Sequence, residues 1–116
     1  MSSFAPLIPV EELPSWRANF PNSSRLVLTN GCFDILHSGH VLYLEQARAL
    51  GDFLLVALNS DESVRALKGP SRPINPQLDR YTVLSRLRSV DAVTIFPTLR
   101  VTQVIFSSRP HIYAKG

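Results

Sequence analysis

Between Asn30 and His40 the chain reads Asn-Gly-Cys-Phe-Asp-Ile-Leu-His-Ser-Gly-His, the densest run of chemically able side chains in the sequence. His37 and His40 lie three residues apart on either side of Gly39. At the start of a helix, two imidazoles supply N–H donors next to the positive end of the helix dipole and to open amides, here those around His40 and Val41. Gly31 allows close backbone approach, and Gly39 opens the helix without a side chain in the way. The combination suits a phosphate group. Three other chemistries draw on the same residues. The histidines with Cys32 and Asp34 make an unusual metal-ligand set. The pair is alternatively structural. Finally, His37 beside Cys32 forms a thiolate nucleophile pair, although a cysteine at a strand end also serves as a small hydrophobe.

These residues need a frame that brings them to one end of a sheet. Leu26 to Thr29 is a short apolar run closed by Asn30-Gly31, as in a strand buried on both faces of a parallel sheet. Val41, Leu44, Ala47 and Leu50 then recur at helical spacing, with Gly51 where that helix ends. Phe53 to Leu58 reads as a second strand, and Ser60 caps a helix running to about Leu67. Gly69, Pro70 and Pro73 make Lys68–Asn75 a loop. Asn75-Pro76 starts a helix, with Asn75 as cap, Pro76 in the first turn, and Leu78, Val83, Leu84, Leu87 and Val90 as its apolar side. Ala92 to Phe96 is a third strand, Val101 to Ser107 a helix, and Ile112 to Ala114 a fourth strand. Strands alternating with helices predict right-handed crossovers and a Rossmann-like, doubly wound parallel α/β sheet in one domain. Asn30–His40 then falls beyond the carboxyl end of the first strand, where such sheets bind ligands.

The 116 residues suffice for one compact domain. Residues 1–24 hold four of the nine prolines and read as an N-terminal extension. It contains at most a short helical turn around Glu11 and Trp16, with Trp16 and Phe20 against the domain edge. The domain proper is 25–116. The net charge of +3 fits a protein handling phosphorylated small molecules, and no basic run resembles a nucleic-acid-binding tail. Cys32 is the sole cysteine, which excludes an intrachain disulfide and a cysteine-rich zinc site. No apolar run approaches the ~20 residues that span a bilayer. The start, MSSFAPLIPVEELP, lacks signal-peptide features, so a cytoplasmic protein is expected.

Gly31-x-Phe33-Asp34-x-x-His37-x-Gly39-His40 resembles the signature of the cytidylyltransferase-like nucleotidyltransferases. Asn59-Ser60-Asp61, Leu67-Lys68-Gly69-Pro70-x-Arg72-Pro73-Ile74-Asn75-Pro76, Asp79-Arg80 and Val90-Asp91 look like the D-glycero-β-D-manno-heptose 1-phosphate adenylyltransferase branch. Glycerol-3-phosphate cytidylyltransferase shares the first motif but resembles the Lys68–Asn75 stretch less. The likeness covers about residues 25–116.

The resemblance implies transfer of AMP from ATP to a sugar phosphate, heptose 1-phosphate, with release of pyrophosphate. The alternatives are a CTP-using glycerol-3-phosphate enzyme and an inactive nucleotide-binding or assembly module. It implies that His37 and His40 contact the nucleotide phosphates and share the catalytic work with Lys68, which approaches from a loop. Thr29, Asn30, Gly31 and Phe33 would line the pocket floor, with Gly39 and Lys115 also at the nucleotide. Asp34 would hold the loop on the substrate side. Asn59 and Asp61 would face the acceptor or order the site, and Arg72 and Arg80 would bind substrate phosphate. Read without the family, Asp61 and Arg65 are an exposed i,i+4 pair and Arg80 is solvated. Mg²⁺ would ride on the nucleotide phosphates, with no protein metal site. A homodimer is implied, with neither nucleic acid nor membrane as partner. Family members usually run on past a pair like Lys115-Gly116 into a further strand and a second nucleotide-binding signature, so the C-terminal part is expected to be missing here. Arg109-Pro110-His111 departs from the commoner Arg-Pro-Asp.

Overall fold

Side chains along β1 (Leu26–Gly31) and β2 (Phe53–Asn59) are buried without polar alternation over most of their length, as strands covered on both faces require. The computed structural model describes residues 4–98 and 100–115. In it these strands join β3 (Ala92–Phe96) and β4 (Ile112–Tyr113) in an all-parallel sheet of order β3-β2-β1-β4. Thr29 stands beside Val56, and Val56 beside Val93. The helices are α1 (Leu13–Ala18), α2 (Ser38–Arg48), α3 (Asp61–Lys68), α4 (Gln77–Ser85) and α5 (Thr102–Ser108), with one 3-10 turn at Val10–Glu12.

The strand pleat sorts the core into two clusters. Val27, Leu54, Val56 and Leu58 meet Leu44 and Ala47 of α2 and Leu84 of α4 on one face. Leu26, Leu28, Leu55 and Ala57 meet Leu13 of α1 and Val104 of α5 on the other. Helices therefore cover both faces, the doubly wound arrangement that the spacing predicts. β2 and β3 build out from one side of β1 and β4 from the other, so strand order reverses between β1 and β4. In open α/β sheets that reversal opens a crevice at the carboxyl ends.

The proline-rich N-terminal segment packs into the same body. The Ile8 N–H donates to the Val93 carbonyl at 2.8 Å and the Val93 N–H to the Pro6 carbonyl at 3.0 Å, which lays the segment along the outer edge of β3. Leu13 is fully buried, and Trp16, Phe20 and Phe53 stack at the domain edge.

Two local expectations are corrected. Gly51 is not the C-cap of α2, a place that Ala49 takes. A Cβ at Gly51 would sit 2.6 Å from the Arg25 carbonyl oxygen, so close approach to the start of β1 demands the glycine. At α4, Pro76 is the cap residue and no side chain caps the helix. Asn75 instead donates its amide to the Asp34 carbonyl. Leu78 and Val83, expected inside, are 60% and 50% exposed, and the buried residues of α4 are Arg80, Leu84 and Ser85. Leu87 and Val90 lie beyond the helix end.

Candidate active site

The first turn of α2 is closed by its own histidines. His37 is the cap residue in an extended conformation, and its Nδ1 accepts the Gly39 N–H at 3.0 Å. His40 Nδ1 accepts the His37 N–H at 3.2 Å. The amides of His40 and Val41, expected to be open, both donate to the His37 carbonyl, at 3.0 and 3.3 Å. Because each Nδ1 accepts a backbone proton, each neutral imidazole carries its own proton on Nε2. The donors at this helix start are therefore imidazole Nε2–H groups more than backbone amides. The ring centroids are 4.1 Å apart, and His40 lies edge-on to Phe33. Burial and then the nearby charge of His37 hold the His40 pKa below its ordinary value, which favours the neutral donor.

Around them, beyond the carboxyl end of β1, opens a cleft of about 780 Å³. Asn30, Gly31, Phe33, Asp34, His37, Gly39, His40, Lys68, Arg72 and Lys115 border it, joined by Cys32, Ile35 and Tyr43. Gly31 is required because a Cβ there would fall 2.9 Å from the Phe33 ring. Phe33 itself takes a left-handed φ of 48°. Lys68 and Lys115 are exposed, and among the described residues neither forms an ion pair. Gly116, the second member of the Lys-Gly pair, lies outside the described residues.

Asp34 anchors the 69–76 loop. Its side chain is 3% exposed and accepts Arg72 Nε at 2.6 Å, the Ile74 N–H at 2.9 Å and the Asn75 N–H at 2.9 Å. Burial alone would raise its pKa; the two amides and the Arg72 guanidinium outweigh that and bring it to about 2. Three donors of the protein thus hold the carboxylate. Arg72 borders the cleft while its Nε is held by Asp34.

Thr29 and Arg80, expected at the substrates, lie elsewhere, and Asn59 and Asp61, expected to face the acceptor or order the site, do the second. Thr29 is fully buried, with Oγ1 2.7 Å from the Tyr43 hydroxyl, and does not line the floor. Asn59 is buried, its side-chain amide donating to Ser63 Oγ. Arg80 is 2% exposed, neither solvated nor open to a substrate phosphate. Its Nε donates to the Asn75 carbonyl at 2.8 Å, and Nη1 donates to the Cys32 and Asn59 carbonyls at 2.8 and 2.7 Å. Nη2 meets Asp61 Oδ1 at 2.7 Å, so Asp61 pairs with Arg80 and not with Arg65. One guanidinium thereby joins the loops after β1 and β2 to the 69–76 loop.

Two tyrosines matter that the sequence does not single out, Tyr43 bordering the cleft and Tyr113 bonded to one of its lining residues. Tyr43 is one helical turn after His40, a spacing that could have found it. Tyr113 of β4 donates to Asn30 Oδ1, a contact 83 positions apart in sequence with no local signal. His111 Nδ1 accepts the Leu26 N–H at 3.4 Å, joining the start of β4 to β1. Among the described residues no three His, Cys, Asp or Glu side chains gather as metal ligands.

Comparison with known proteins agrees with this geometry. The chain is 50% identical over 107 residues to the Bifunctional protein HldE of Aliarcobacter butzleri, covering 91% of this chain and 22% of that protein. It is 59% identical over 92 residues to the namesake of Campylobacter curvus (79% and 20%) and 45% over 113 residues to that of Desulfatibacillum aliphaticivorans (97% and 23%). The chain thus spans about a fifth of the curated relatives it matches. The crystal structure of the lipopolysaccharide core biosynthesis protein from Thermoplasma volcanium superposes with a TM-score of 0.72 at 30% identity, over 78% of this chain and 73% of that one. The profile of the family described as Cytidylyltransferase-like matches residues 28–116, and the chain belongs to that family.

Proposed function

We propose that this domain transfers AMP from ATP to a sugar 1-phosphate, with heptose 1-phosphate as acceptor, and releases pyrophosphate. The observation that carries the reading is the pair of Nε2–H donors, set by the Nδ1 caps of α2, beside Lys68, Arg72 and Lys115 in one cleft at the strand-order reversal. An acceptor phosphate oxygen forms a bond to the α-phosphorus of ATP as the bond to the β-phosphate oxygen breaks. The acceptor is already ionised, so the site needs no strong general base. It needs positioning and charge stabilisation on the phosphoryl oxygens, which imidazole Nε2–H donors and three cationic side chains supply. The carboxylate bordering the cleft, Asp34, is committed to Arg72 and loop amides, so Mg²⁺ enters as part of MgATP. The likeness of the Lys68–Pro76 stretch to the heptose branch supports ATP and a heptose acceptor over CTP and glycerol 3-phosphate. A neighbour named for lipopolysaccharide core biosynthesis supports a sugar acceptor.

The test is pyrophosphate release by the purified chain with MgATP and heptose 1-phosphate, beside MgCTP and glycerol 3-phosphate. Release with the first pair alone is expected, and His37→Ala or His40→Ala lowers the rate by about 10²–10³. A loss below about tenfold refutes the histidine assignment. Thermal stabilisation by MgATP without turnover assigns the chain a binding role instead.

A further inference from the structure

From the hydrogen bonds that join α2 to the end of β4, we infer that Tyr43 is a positioning residue that holds Lys115 at the nucleotide phosphates. The inference rests on the reading of the cleft proposed above. The Tyr43 hydroxyl donates to the Ala114 carbonyl at 2.9 Å and lies 2.7 Å from Thr29 Oγ1. A phenol has a single proton. With that proton on Ala114, the Thr29 hydroxyl must donate to Tyr43, so the relay runs Thr29 to Tyr43 to Ala114. Thr29 is fully buried in β1, which makes the first link rigid. Ala114 directly precedes Lys115, and its own N–H is held by the Leu28 carbonyl at 2.8 Å. Both sides of Ala114 are therefore fixed, one by the sheet and one by Tyr43, and the next residue is delivered to the cleft. Tyr43 and His40 lie one turn apart on the same helix. A single rigid element thus sets an imidazole donor and, through Tyr43, a lysine, at the border of one cleft. β4 is two residues long, so little else in the ladder holds its carboxyl end.

The test is a double-mutant cycle on MgATP affinity by calorimetry. Tyr43→Phe keeps the ring and removes the relay, so binding weakens by about three- to tenfold while the fold persists. Lys115→Ala weakens binding by about tenfold or more. In the Lys115→Ala background, Tyr43→Phe adds nothing beyond about twofold, because the residue through which it acts is gone. Additive losses overturn the inference, and so does a Tyr43→Phe protein that binds normally. Thr29→Val keeps the Tyr43–Ala114 bond, so its effect is smaller than that of Tyr43→Phe; an equal loss assigns the effect to Thr29 and overturns the inference by a route independent of Tyr43 variants. If Lys115→Ala alone binds normally, the placement of Lys115 at the phosphates fails, and the inference with it. Absent MgATP binding by the unaltered chain would refute the proposed function itself.

Discussion

Replacing Asp34 by Asn changes one atom in the group that ties the signature loop to the 69–76 loop, and the structure sets the size of the effect. The carboxylate accepts from Arg72 Nε and from the Ile74 and Asn75 amides. Its pKa falls from 3.8 to about 2, which corresponds to roughly 2 kcal/mol of preference for the charged form. A single loop covers the group, and screening by nearby solvent lowers this to about 1–2 kcal/mol. Asn adds a second penalty. Its NH₂ must face either the guanidinium or a loop amide, leaving a donor against a donor at a cost of about 1 kcal/mol. The total is about 2–3 kcal/mol, or roughly 6–15 °C in Tm for a domain this size.

The pH dependence gives the sharper test. A carboxylate with a depressed folded pKa contributes stability that is complete above its unfolded pKa and is lost as pH falls through the folded one. The gap between the original and Asp34→Asn proteins should be constant above about pH 5 and close between 3.8 and about 2. Thermal unfolding of both proteins across this range measures it, since other acid-titrating groups cancel in the difference. A gap under about 2 °C at neutral pH, or one that persists unchanged to pH 2, refutes the anchoring role.

Arg80→Met leaves three carbonyls and Asp61 without a donor inside the domain, a loss of about 3–5 kcal/mol in urea unfolding; a loss below about 1 kcal/mol would contradict the hub. Gly39→Ala places a Cβ 2.8 Å from His37 Cε1 and 3.1 Å from Nδ1, displacing the ring from its cap. Pyrophosphate release should fall by about tenfold or more while Tm stays nearly constant, and an unchanged rate counts against the cap. His40 should titrate below 6.5 by NMR, with its ring proton on Nε2 when neutral. With the neutral form favoured on folding, its contribution to stability is complete above 6.5 and declines as pH falls through the lowered value. A midpoint at or above 6.5 contradicts the burial argument.

Sequence periodicity carried the frame well. Leu26–Thr29 and Phe53–Leu58 are strands because unbroken apolar runs of that length have no other way to bury both faces, and Ser60 caps α3 through the Ser63 amide as its type and position indicate. The signature residues and Lys68, Arg72 and Lys115 come to one cleft. What escaped was direction and partnership. Arg80 is a cation before a helix turn in sequence, and nothing local reveals that the Cys32 and Asn59 carbonyls, 48 and 21 positions away, will take its protons. Spacing marks the histidines as donors beside open amides, whereas the His37 carbonyl takes the His40 and Val41 amides, and each Nδ1 takes another backbone N–H, which leaves Nε2 as the free ring nitrogen. Spacing names the side chain; only the fold decides which of its atoms is left over.

The joint grip of Asp34 and Arg80 on one loop limits how that loop can be exchanged between family members. A transplanted segment can differ at Pro70 and Ser71, which neither residue touches, but Gly69, at a φ of 108°, must stay glycine. From Arg72 onward the graft must conform to its host. It needs a guanidinium at 72 and backbone N–H groups at 74 and 75, so proline at either of those positions would unseat it. Asn75 must also present its carbonyl to a guanidinium that is already holding the two neighbouring loops. The 69–76 loop is therefore portable only as a cassette that brings residues 34, 61 and 80 along with it.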